Sequence, residues 1–287
     1  MSNSPGRLFI VATPIGNLGD ISGRAVEVLQ SVDLILAEDT RHSAGLLSHL
    51  GIRTKVSAFH EHNEARMKDA VIAKLGTGLD AAIISDAGTP LISDPGFQLV
   101  RSAHQRGIQV IPIPGPSAVL AALSASGLPT DRFLFEGFLP SRREARRQRL
   151  RAIARRRETL VILESPHRVL AALEDMVEIL GDARMATIAK ELTKIFETIR
   201  TDTLSALHAW LGEREERQRG EFVIVVAAAE GAEADPEAEA HRELLRALMG
   251  ELPLKTAVRL AARISGSSRN RLYALALELS SDGERGA

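Results

Sequence analysis

The first 117 residues alternate short apolar segments with helical segments, and this alternation constrains the fold more than any other feature of the sequence. Each apolar segment is followed by a loop of turn-forming or charged residues. The predicted strands are Leu8–Ala12, Leu34–Ala37, Lys55–Phe59, Ala81–Ser85 and Gln109–Ile113. Strands that alternate with helices in this way are typical of a parallel sheet with helices packed on it. The sequence therefore predicts an N-terminal α/β domain over residues 1–117.

A second α/β domain, richer in strands, is predicted over residues 118–230. The boundary is expected near Ser117–Pro129, where a helix of small residues begins. The predicted strands are Phe133–Phe135, Thr159–Leu163, Ala186–Lys190, Glu197–Arg200 and Phe222–Ala227, and the predicted helices include Pro166–Leu180 and Leu204–Leu211. The whole chain is thus expected to be an α/β protein with two such domains and a ligand cleft.

The last part of the chain is predicted to be a separate helical module. Residues 231–240 consist of Ala, Glu, Gly, Asp and Pro, a composition that is typical of a linker. Residues 241–287 are expected to be helical. Within them, Leu252–Leu277 is interrupted at Ile264–Gly266, which indicates two helices joined by a short turn, a helix-turn-helix shape.

Composition excludes several classes of protein. Cysteine is absent, which excludes disulfides, thiol catalysis and thiolate zinc sites and suits a reducing compartment. Hydrophobic residues make up 45% and charged residues 25% of the 287 residues, which is the composition of a globular protein. No apolar run reaches the roughly 18 residues of a membrane span. We therefore expect a cytoplasmic protein with no membrane partner.

Proline and glycine cluster after three of the predicted N-terminal strands, in Thr13–Gly19, Asp86–Gly96 and Pro114–Ser117. In open α/β sheets this edge is where ligands bind, because loops there bring backbone amides close to a small molecule. Any one of these loops is also explained as a simple turn. The three together favour a single small-molecule site.

Familiar ligand motifs are missing or misplaced. The glycine pattern of residues 76–81 follows a predicted helix and precedes a strand, which is the reverse of a dinucleotide site. No phosphate-binding loop of the Walker type is present, and Ser117 lacks the final glycine of a nucleophile elbow. His60 and His62 have no third histidine-rich segment beside them, so no metal is expected.

Five sequence blocks resemble one known family. They are residues 13–20 (TPIGNLGD), 38–41 (EDTR), 85–96 (SDAGTPLISDPG), 114–118 (PGPSA) and 164–168 (ESPHR). In this order they are similar to the signatures of the ribosomal RNA small subunit methyltransferase I family, within the tetrapyrrole methylase superfamily. The resemblance implies a homodimer that binds S-adenosylmethionine between two α/β domains. It also implies methylation of the ribose 2′-oxygen of a cytidine in 16S ribosomal RNA.

The resemblance points to a set of cofactor-binding residues. Asp86 and the backbone after it are expected to bind the methionine and ribose portions, while Pro14 and Gly16 allow a close backbone approach. Ser117 and Ala118 begin a helix and offer free amides. Glu164 and the loop Phe138–Leu139, in the second domain, are weaker candidates. The full predicted set is Pro14, Gly16, Asp86, Ala87, Gly88, Thr89, Pro90, Ser117, Ala118, Leu139 and Glu164.

A ribose hydroxyl is a poor nucleophile, so a base or a cation that favours its alkoxide is expected. The candidates are Asp39 and Arg41 after the second strand, and Lys190 and Glu191 after a strand of the second domain. The alternative for the first pair is a helix cap. The alternative for the second pair is an exposed strand end.

Two basic segments are candidates for contact with RNA. Residues 141–157 hold nine arginines and one glutamate, and Leu252–Leu277 has no acidic residue. The candidate contacts are Arg142, Arg143, Arg146, Arg147, Lys255, Arg259, Arg269 and Arg271. The alternatives are a solvated helix face for the first segment and a packing or dimerisation hairpin for the second. With one Trp and one Tyr, recognition of the RNA backbone and shape is favoured over base stacking.

Two other functions remain open at this point. One is a methylase of the same fold that acts on a tetrapyrrole or another small molecule. The other is a non-catalytic RNA-binding or assembly protein.

Overall fold

A computed structural model describes residues 4–229 and 236–284. The chain divides into two compact units, with the division after Ala229. The first unit contains both α/β sheets, and the second is helical. Among the described residues, no helix is both long enough and apolar enough to span a membrane.

The first sheet is entirely parallel, with strand order β3-β2-β4-β1-β5. Its strands are β1 (Arg7–Val11), β2 (Leu34–Ala37), β3 (Val56–Ala58), β4 (Ala81–Ile84) and β5 (Gln109–Ile113). Every residue of β2 and β4 is buried, as expected for strands covered on both faces. The predicted N-terminal sheet is therefore confirmed.

Helices cover both faces of the first sheet. They are α1 (Gly23–Ser31), α2 (Thr40–His49), α3 (Glu61–Gly76) and α4 (Phe97–Gln105). Leu29 of α1 and Leu47 of α2 pack on one face, while Leu75 of α3 and Leu99 of α4 pack on the other. Because α2 and α4 leave the adjacent strands β2 and β4 toward opposite faces, a crevice opens at the carboxyl ends of these two strands.

The second sheet is mixed, with strand order β6-β7-β10-β8-β9. Its strands are β6 (Phe133–Phe138), β7 (Thr159–Glu164), β8 (Met185–Lys190), β9 (Thr198–Thr203) and β10 (Phe222–Val226), and its helices are α5 (Ala118–Ser126), α6 (Arg143–Ile153), α7 (Val169–Leu180) and α8 (Leu204–Gly212). Only β6 and β7 pair in parallel. Helices α6, α7 and α8 cover one face. Helix α5 packs on the other face, together with Ile15 from the loop after β1.

The chain passes from one sheet to the other between Ile113 and Ala118, close to the predicted boundary at residue 117. Both sheets nevertheless belong to one compact unit. The predicted boundary thus separates two sheets within a unit. Helix α7 begins at Val169 rather than at Pro166, because residues 165–168 form a turn in which the Ser165 carbonyl accepts from Arg168 and Val169.

The C-terminal unit contains α9 (Pro236–Glu251), α10 (Leu254–Ser265) and α11 (Arg269–Glu284). Leu245, Val258 and Leu272 bring the three helices together in one small core. Gly266, with a φ of 72°, ends α10, so the predicted two helices and turn are confirmed. The predicted linker is too long, because α9 already begins at Pro236, a residue that suits the first turn of a helix. Residues 231–235 lie outside the described part of the chain.

Candidate functional site

The loops after β1 and β4 are joined by an isolated antiparallel bridge between Thr13 and Gly88. The Thr13 amide donates to the Gly88 carbonyl at 2.9 Å, and the Gly88 amide donates back at 3.1 Å. The buried Thr13 hydroxyl also donates to the Ser85 carbonyl at 3.1 Å. Gly88 has a φ of 82°, a conformation that favours glycine. The two loops are therefore held together at the edge of the sheet.

The third loop, after β5, joins the other two. The Thr89 hydroxyl donates to the Pro116 carbonyl at 3.1 Å. Ser117 then caps helix α5, and its hydroxyl accepts from the Leu120 amide at 3.5 Å. The structure thus brings together the three loops that the sequence predicted to share one site.

A first cavity of about 320 Å³ lies between these loops and the face of the second sheet on which α5 packs. Its walls are mainly apolar. They include Ile15, Ile92 and Phe138, with Leu163 and Val223 contributed by the second sheet. Six of the predicted cofactor-binding residues also line it: Ala87, Gly88, Thr89, Ser117, Ala118 and Glu164.

Leu139 and Pro90, also predicted to bind the cofactor, do not line this cavity. Leu139 is 2% exposed and packs in the core beneath the second sheet, whereas the neighbouring Phe138 is 55% exposed and lines the cavity. The change of side between adjacent residues explains the difference. Pro90 is buried within its loop. Of the predicted pair Phe138 and Leu139, the structure therefore places only Phe138 on this cavity.

The charged side chains on the first cavity are all acidic among the described residues: Asp94, Glu164 and Glu221. Glu164 is already paired, since it accepts from the Ser165 amide at 2.8 Å and lies 3.2 Å from the Arg168 guanidinium. Burial raises the pKa of Asp94 to about 6, and the charges of Glu38 and Asp86 add to the rise. A cavity with this charge favours a cationic ligand.

A second cavity, of about 370 Å³, shares Ile15, Ala87 and Glu221 with the first. It lies at the crevice between β2 and β4 and is more polar. Its other lining residues are Pro14, Gly16, Leu18, His42, Ser43, Gly45, Leu46, Ser85, Asp86 and Lys194. The predicted residues Pro14, Gly16 and Asp86 therefore line the second cavity rather than the first.

Gly16 marks the closest approach between the loop after β1 and residues 192–194, which follow β8. A Cβ at Gly16 would lie 2.4 Å from Lys194 Cγ and 3.1 Å from the Leu192 carbonyl oxygen. Lys194 itself is held by Glu191 at 2.9 Å and by Glu221 at 3.1 Å. The absence of a side chain at Gly16 thus allows the loop after β1 to approach residues 192–194 this closely.

The four predicted catalytic residues line neither cavity. Asp39 caps α2, accepting from the Arg41 amide at 2.8 Å, and its own amide donates to Asp86 Oδ1 at 3.1 Å. Lys190 is buried and donates to the Glu216 carbonyl at 2.9 Å. Glu191 accepts from Lys194 and from the Glu221 amide. The helix-cap alternative describes Asp39. At the strand end, Lys190 is buried and Glu191 is partly exposed, and both are hydrogen-bonded.

The arginine-rich helix α6 differs from its prediction. Arg143, Arg146 and Arg147 converge on Asp175 of α7, with nitrogen–oxygen distances of 3.1, 2.7 and 3.0 Å. The Asp175 side chain is fully buried, and the Arg146 side chain is 5% exposed. The prediction that Arg146 contacts RNA is therefore wrong, and Arg143 and Arg147 are also paired with acids. Arg142, the fourth predicted contact in this segment, is exposed at the residue before α6.

In the C-terminal unit, the predicted basic residues lie on the surface. Lys255, Arg259 and Arg263 are exposed on α10 at four-residue spacing, so they form one stripe along the helix. Arg269 and Arg271 are exposed at the beginning of α11. We call Lys255, Arg259 and Arg263 the basic stripe.

Comparisons with known proteins agree with this architecture. The family model "Tetrapyrrole (Corrin/Porphyrin) Methylases" matches residues 7–208, and "RsmI C-terminal HTH domain" matches residues 227–280. Ribosomal RNA small subunit methyltransferase I of Escherichia coli O157:H7 is 52% identical over 276 residues, covering 96% of each chain. Its counterpart in Pseudomonas aeruginosa is 53% identical over 277 residues, covering 96% of this chain and 98% of the relative.

Among solved structures, the fold is similar to uroporphyrin-III C-methyltransferase from Thermus thermophilus in complex with S-adenosylhomocysteine. The TM-score is 0.54 at 16% identity, and the match covers 77% of this chain and 97% of the other. At this identity the likeness shows the fold alone.

Proposed function

The chain belongs to the tetrapyrrole methylase family and, within it, to the ribosomal RNA small subunit methyltransferase I family, and from this premise we propose that it methylates the ribose 2′-oxygen of a cytidine in 16S ribosomal RNA. The observation that most strongly supports this activity is the match to the relatives over 96% of the chain. The acidic first cavity supports the choice of methyl donor, S-adenosylmethionine.

The residues of the first cavity fit this donor. S-adenosylmethionine combines a flat aromatic adenine with a sulfonium cation, an ammonium cation and a carboxylate, so its net charge is positive. Phe138, Leu163 and Val223 supply apolar contacts for the adenosyl portion. Asp94 supplies negative charge, since no lysine, arginine or histidine is among the described lining residues, whereas Glu221 is paired with Lys194. Asp86 lines the second cavity alone, next to Ala87, which lines both cavities.

When bound, S-adenosylmethionine would supply an activated methyl group. Its transfer would break the carbon–sulfur bond and form the carbon–oxygen bond, leaving a neutral thioether, and the hydroxyl proton would pass to solvent. The protein's task is to hold the oxygen in line with the methyl carbon. The loops after β1, β4 and β5 perform this positioning. We assign Asp39 and Glu191 to positioning as well, because they hold Asp86 and Lys194.

The RNA partner is expected to contact the C-terminal unit. The basic stripe presents three cations on one exposed helix face, and cations of this kind bind phosphates without reading sequence. Arg142, Arg269 and Arg271 remain further candidates on exposed surface. The paired arginines of α6 are better explained as structural.

We also propose that the chain acts as a homodimer in the cytoplasm, as its family resemblance implies. The exposed side chains of Ile195 and Phe196, beside the second cavity's Lys194, support this, since a second subunit would cover them. Sedimentation equilibrium should give the mass of two chains. The mass of one chain would contradict the dimer.

The experiment that tests the function is methyl transfer from labelled S-adenosylmethionine to small ribosomal subunits from cells that lack this protein. We expect label in 2′-O-methylcytidine after digestion to nucleosides. Label on a base would contradict the ribose assignment. Absence of label, with the cofactor bound, would instead favour a small-molecule methylase, and absence of cofactor binding would favour a non-catalytic RNA-binding protein.

Replacing Asp94 by asparagine should weaken binding of S-adenosylmethionine at least tenfold at pH 8, because a charge-assisted contact is worth about 1.5–3 kcal/mol. The wild-type affinity should also fall as pH drops through about 6, where Asp94 takes up a proton and loses its charge. Titration calorimetry between pH 5 and pH 8 measures both effects. Asp69→Asn, on the exposed side of α3, is the control. Parallel pH curves for wild type and Asp94→Asn would contradict the assignment.

Replacing the three residues of the basic stripe by glutamine should raise KM for small subunits and leave the cofactor Kd unchanged. Removing three phosphate contacts should lower the slope of log affinity against log salt by about 2 to 3. Filter binding across a salt series measures this slope. The control is glutamine at Arg24, Arg101 and Arg106, which are exposed on the first unit and change the net charge equally. Equal slopes for the two triple variants would remove the stripe from the RNA interface.

A further inference from the structure

The second cavity has a polar wall that binding of the methyl donor in the first cavity leaves unused. It lies at the crevice between β2 and β4 and shares Ile15, Ala87 and Glu221 with the first cavity. A molecule in the second cavity therefore lies directly beside a molecule in the first. Methyl transfer requires the two sites to be adjacent, because the acceptor oxygen must lie in line with the methyl group of the donor.

Ser43 is the most informative residue on this wall. It is 3% exposed, and its hydroxyl has no hydrogen-bond partner among the described residues. A serine hydroxyl within a helix commonly donates to the carbonyl four residues earlier. Here the Asp39 carbonyl accepts the regular helical bond from the Ser43 amide, and the Ser43 hydroxyl makes no bond to it. A buried hydroxyl left without a partner is costly. A bound molecule in the second cavity would supply the missing partner.

Two charged groups on this wall already have partners. Asp86 accepts from the Asp39 amide, and Lys194 is paired with Glu191 and Glu221. Because the charge of Lys194 is neutralised and Asp86 adds a carboxylate, the wall disfavours a phosphate. An uncharged group that both donates and accepts hydrogen bonds suits it better.

We propose that the second cavity receives the acceptor nucleoside of the RNA and that the Ser43 hydroxyl hydrogen-bonds to it. This inference rests on the proposed function and adds the place and one recognition contact of the acceptor. The backbone phosphates of the RNA stay outside this cavity, whose wall disfavours their charge.

The first test is Ser43→Ala. We expect kcat/KM for small subunits to fall about tenfold, the loss of one hydrogen bond in the complex, while the Kd of S-adenosylmethionine stays within twofold. The melting temperature should stay equal or rise, because the variant removes an unpaired buried hydroxyl. Ser48→Ala, on the exposed side of the same helix, is the matched control and should leave all three values unchanged.

The second test fills the cavity. A Cβ at Gly45, which lines the cavity within α2, meets no atom within 4 Å. Gly45→Leu should therefore fold, and leucine also favours the helix more than glycine does. We expect methyl transfer to fall more than 100-fold with the cofactor Kd within twofold of wild type. Gly23→Leu on α1, where a Cβ also meets nothing within 4 Å, is the control.

Three results would overturn the inference. One is unchanged kcat/KM in both Ser43→Ala and Gly45→Leu, with wild type active. Another is an equal loss of cofactor affinity and transfer, which would place the cofactor in the second cavity. The third is a lower melting temperature for Ser43→Ala, which would give the hydroxyl a structural partner. Wild-type protein that transfers no methyl group to subunits would instead overturn the proposed function itself.

Discussion

Replacing Gly16 by valine is expected to reduce methyl transfer more than 100-fold and to weaken cofactor binding at least tenfold. The added atoms would overlap Lys194 Cγ, 2.4 Å from the first of them, and would press on the Leu192 carbonyl, 3.1 Å away. Overpacking of this kind costs about 1–3 kcal/mol, and 1.4 kcal/mol is already tenfold in affinity. Since the adjacent Ile15 lines both cavities, displacement of this loop disturbs both.

Calorimetric cofactor titration and the subunit assay would measure the two effects of Gly16→Val. Gly23→Val is the control, because a Cβ at Gly23 meets no atom within 4 Å and the residue lines neither cavity. Wild-type binding and transfer by Gly16→Val would contradict the close approach between this loop and residues 192–194.

Replacing Asp175 by asparagine is expected to destabilise the first unit by about 3–5 kcal/mol, the usual cost of removing one partner from a buried ion pair. The variant would leave Arg146, with its 5% exposed side chain, without its buried counter-charge. Burial by itself raises the pKa of Asp175. Hydrogen bonds from Arg146, Arg143 and Arg147 outweigh this effect and hold the pKa below its ordinary range. This stabilisation is present above the unfolded-state pKa and is lost as pH falls below about 4.

Urea unfolding at pH 7 and at pH values below 4 measures the contribution of Asp175. Glu178→Gln is the control, since Glu178 is 46% exposed and exposed pairs contribute about 0–1 kcal/mol. If Asp175→Asn lowered the free energy of unfolding no more than Glu178→Gln does, the arginines of α6 would have no structural role. Their assignment to RNA would then have to be restored.

The sheet edge and its loops could be predicted from sequence because periodicity and turn residues are local signals. The apolar runs predicted β1, β2, β4 and β5 within one residue at each end. Their carboxyl ends meet because parallel strands share one direction, so the three loops were expected at one site. The bridge between Thr13 and Gly88 joins two of these loops, as the prediction of one shared site requires.

The role of the arginines on α6 could not be predicted from the arginine count alone. What decides it is whether acids lie opposite, and Glu174, Asp175 and Glu178 lie on α7, about 30 residues further along the chain. Their spacing on one predicted helix was the available signal. The count of basic residues reflects composition, whereas the pairing depends on how the helices pack.

The separation of these residues between two cavities could not be predicted from the sequence either. Asp86 and Asp94 are eight residues apart and were expected in one site, yet Asp86 lines the second cavity and Asp94 the first. Positive φ values at Leu91 and Ser93 turn the loop between them. Ser43 gave no signal at all, because an unpaired hydroxyl is visible only when its surroundings are known.

The most direct test of the cofactor site is a crystal structure of the protein with S-adenosylhomocysteine. We predict ligand density in the first cavity, against Phe138, Ala118 and Gly88, with the second cavity left open beside it. Density for the ligand in the second cavity, against Ser43 and Gly45, would contradict both the cofactor site and the acceptor site.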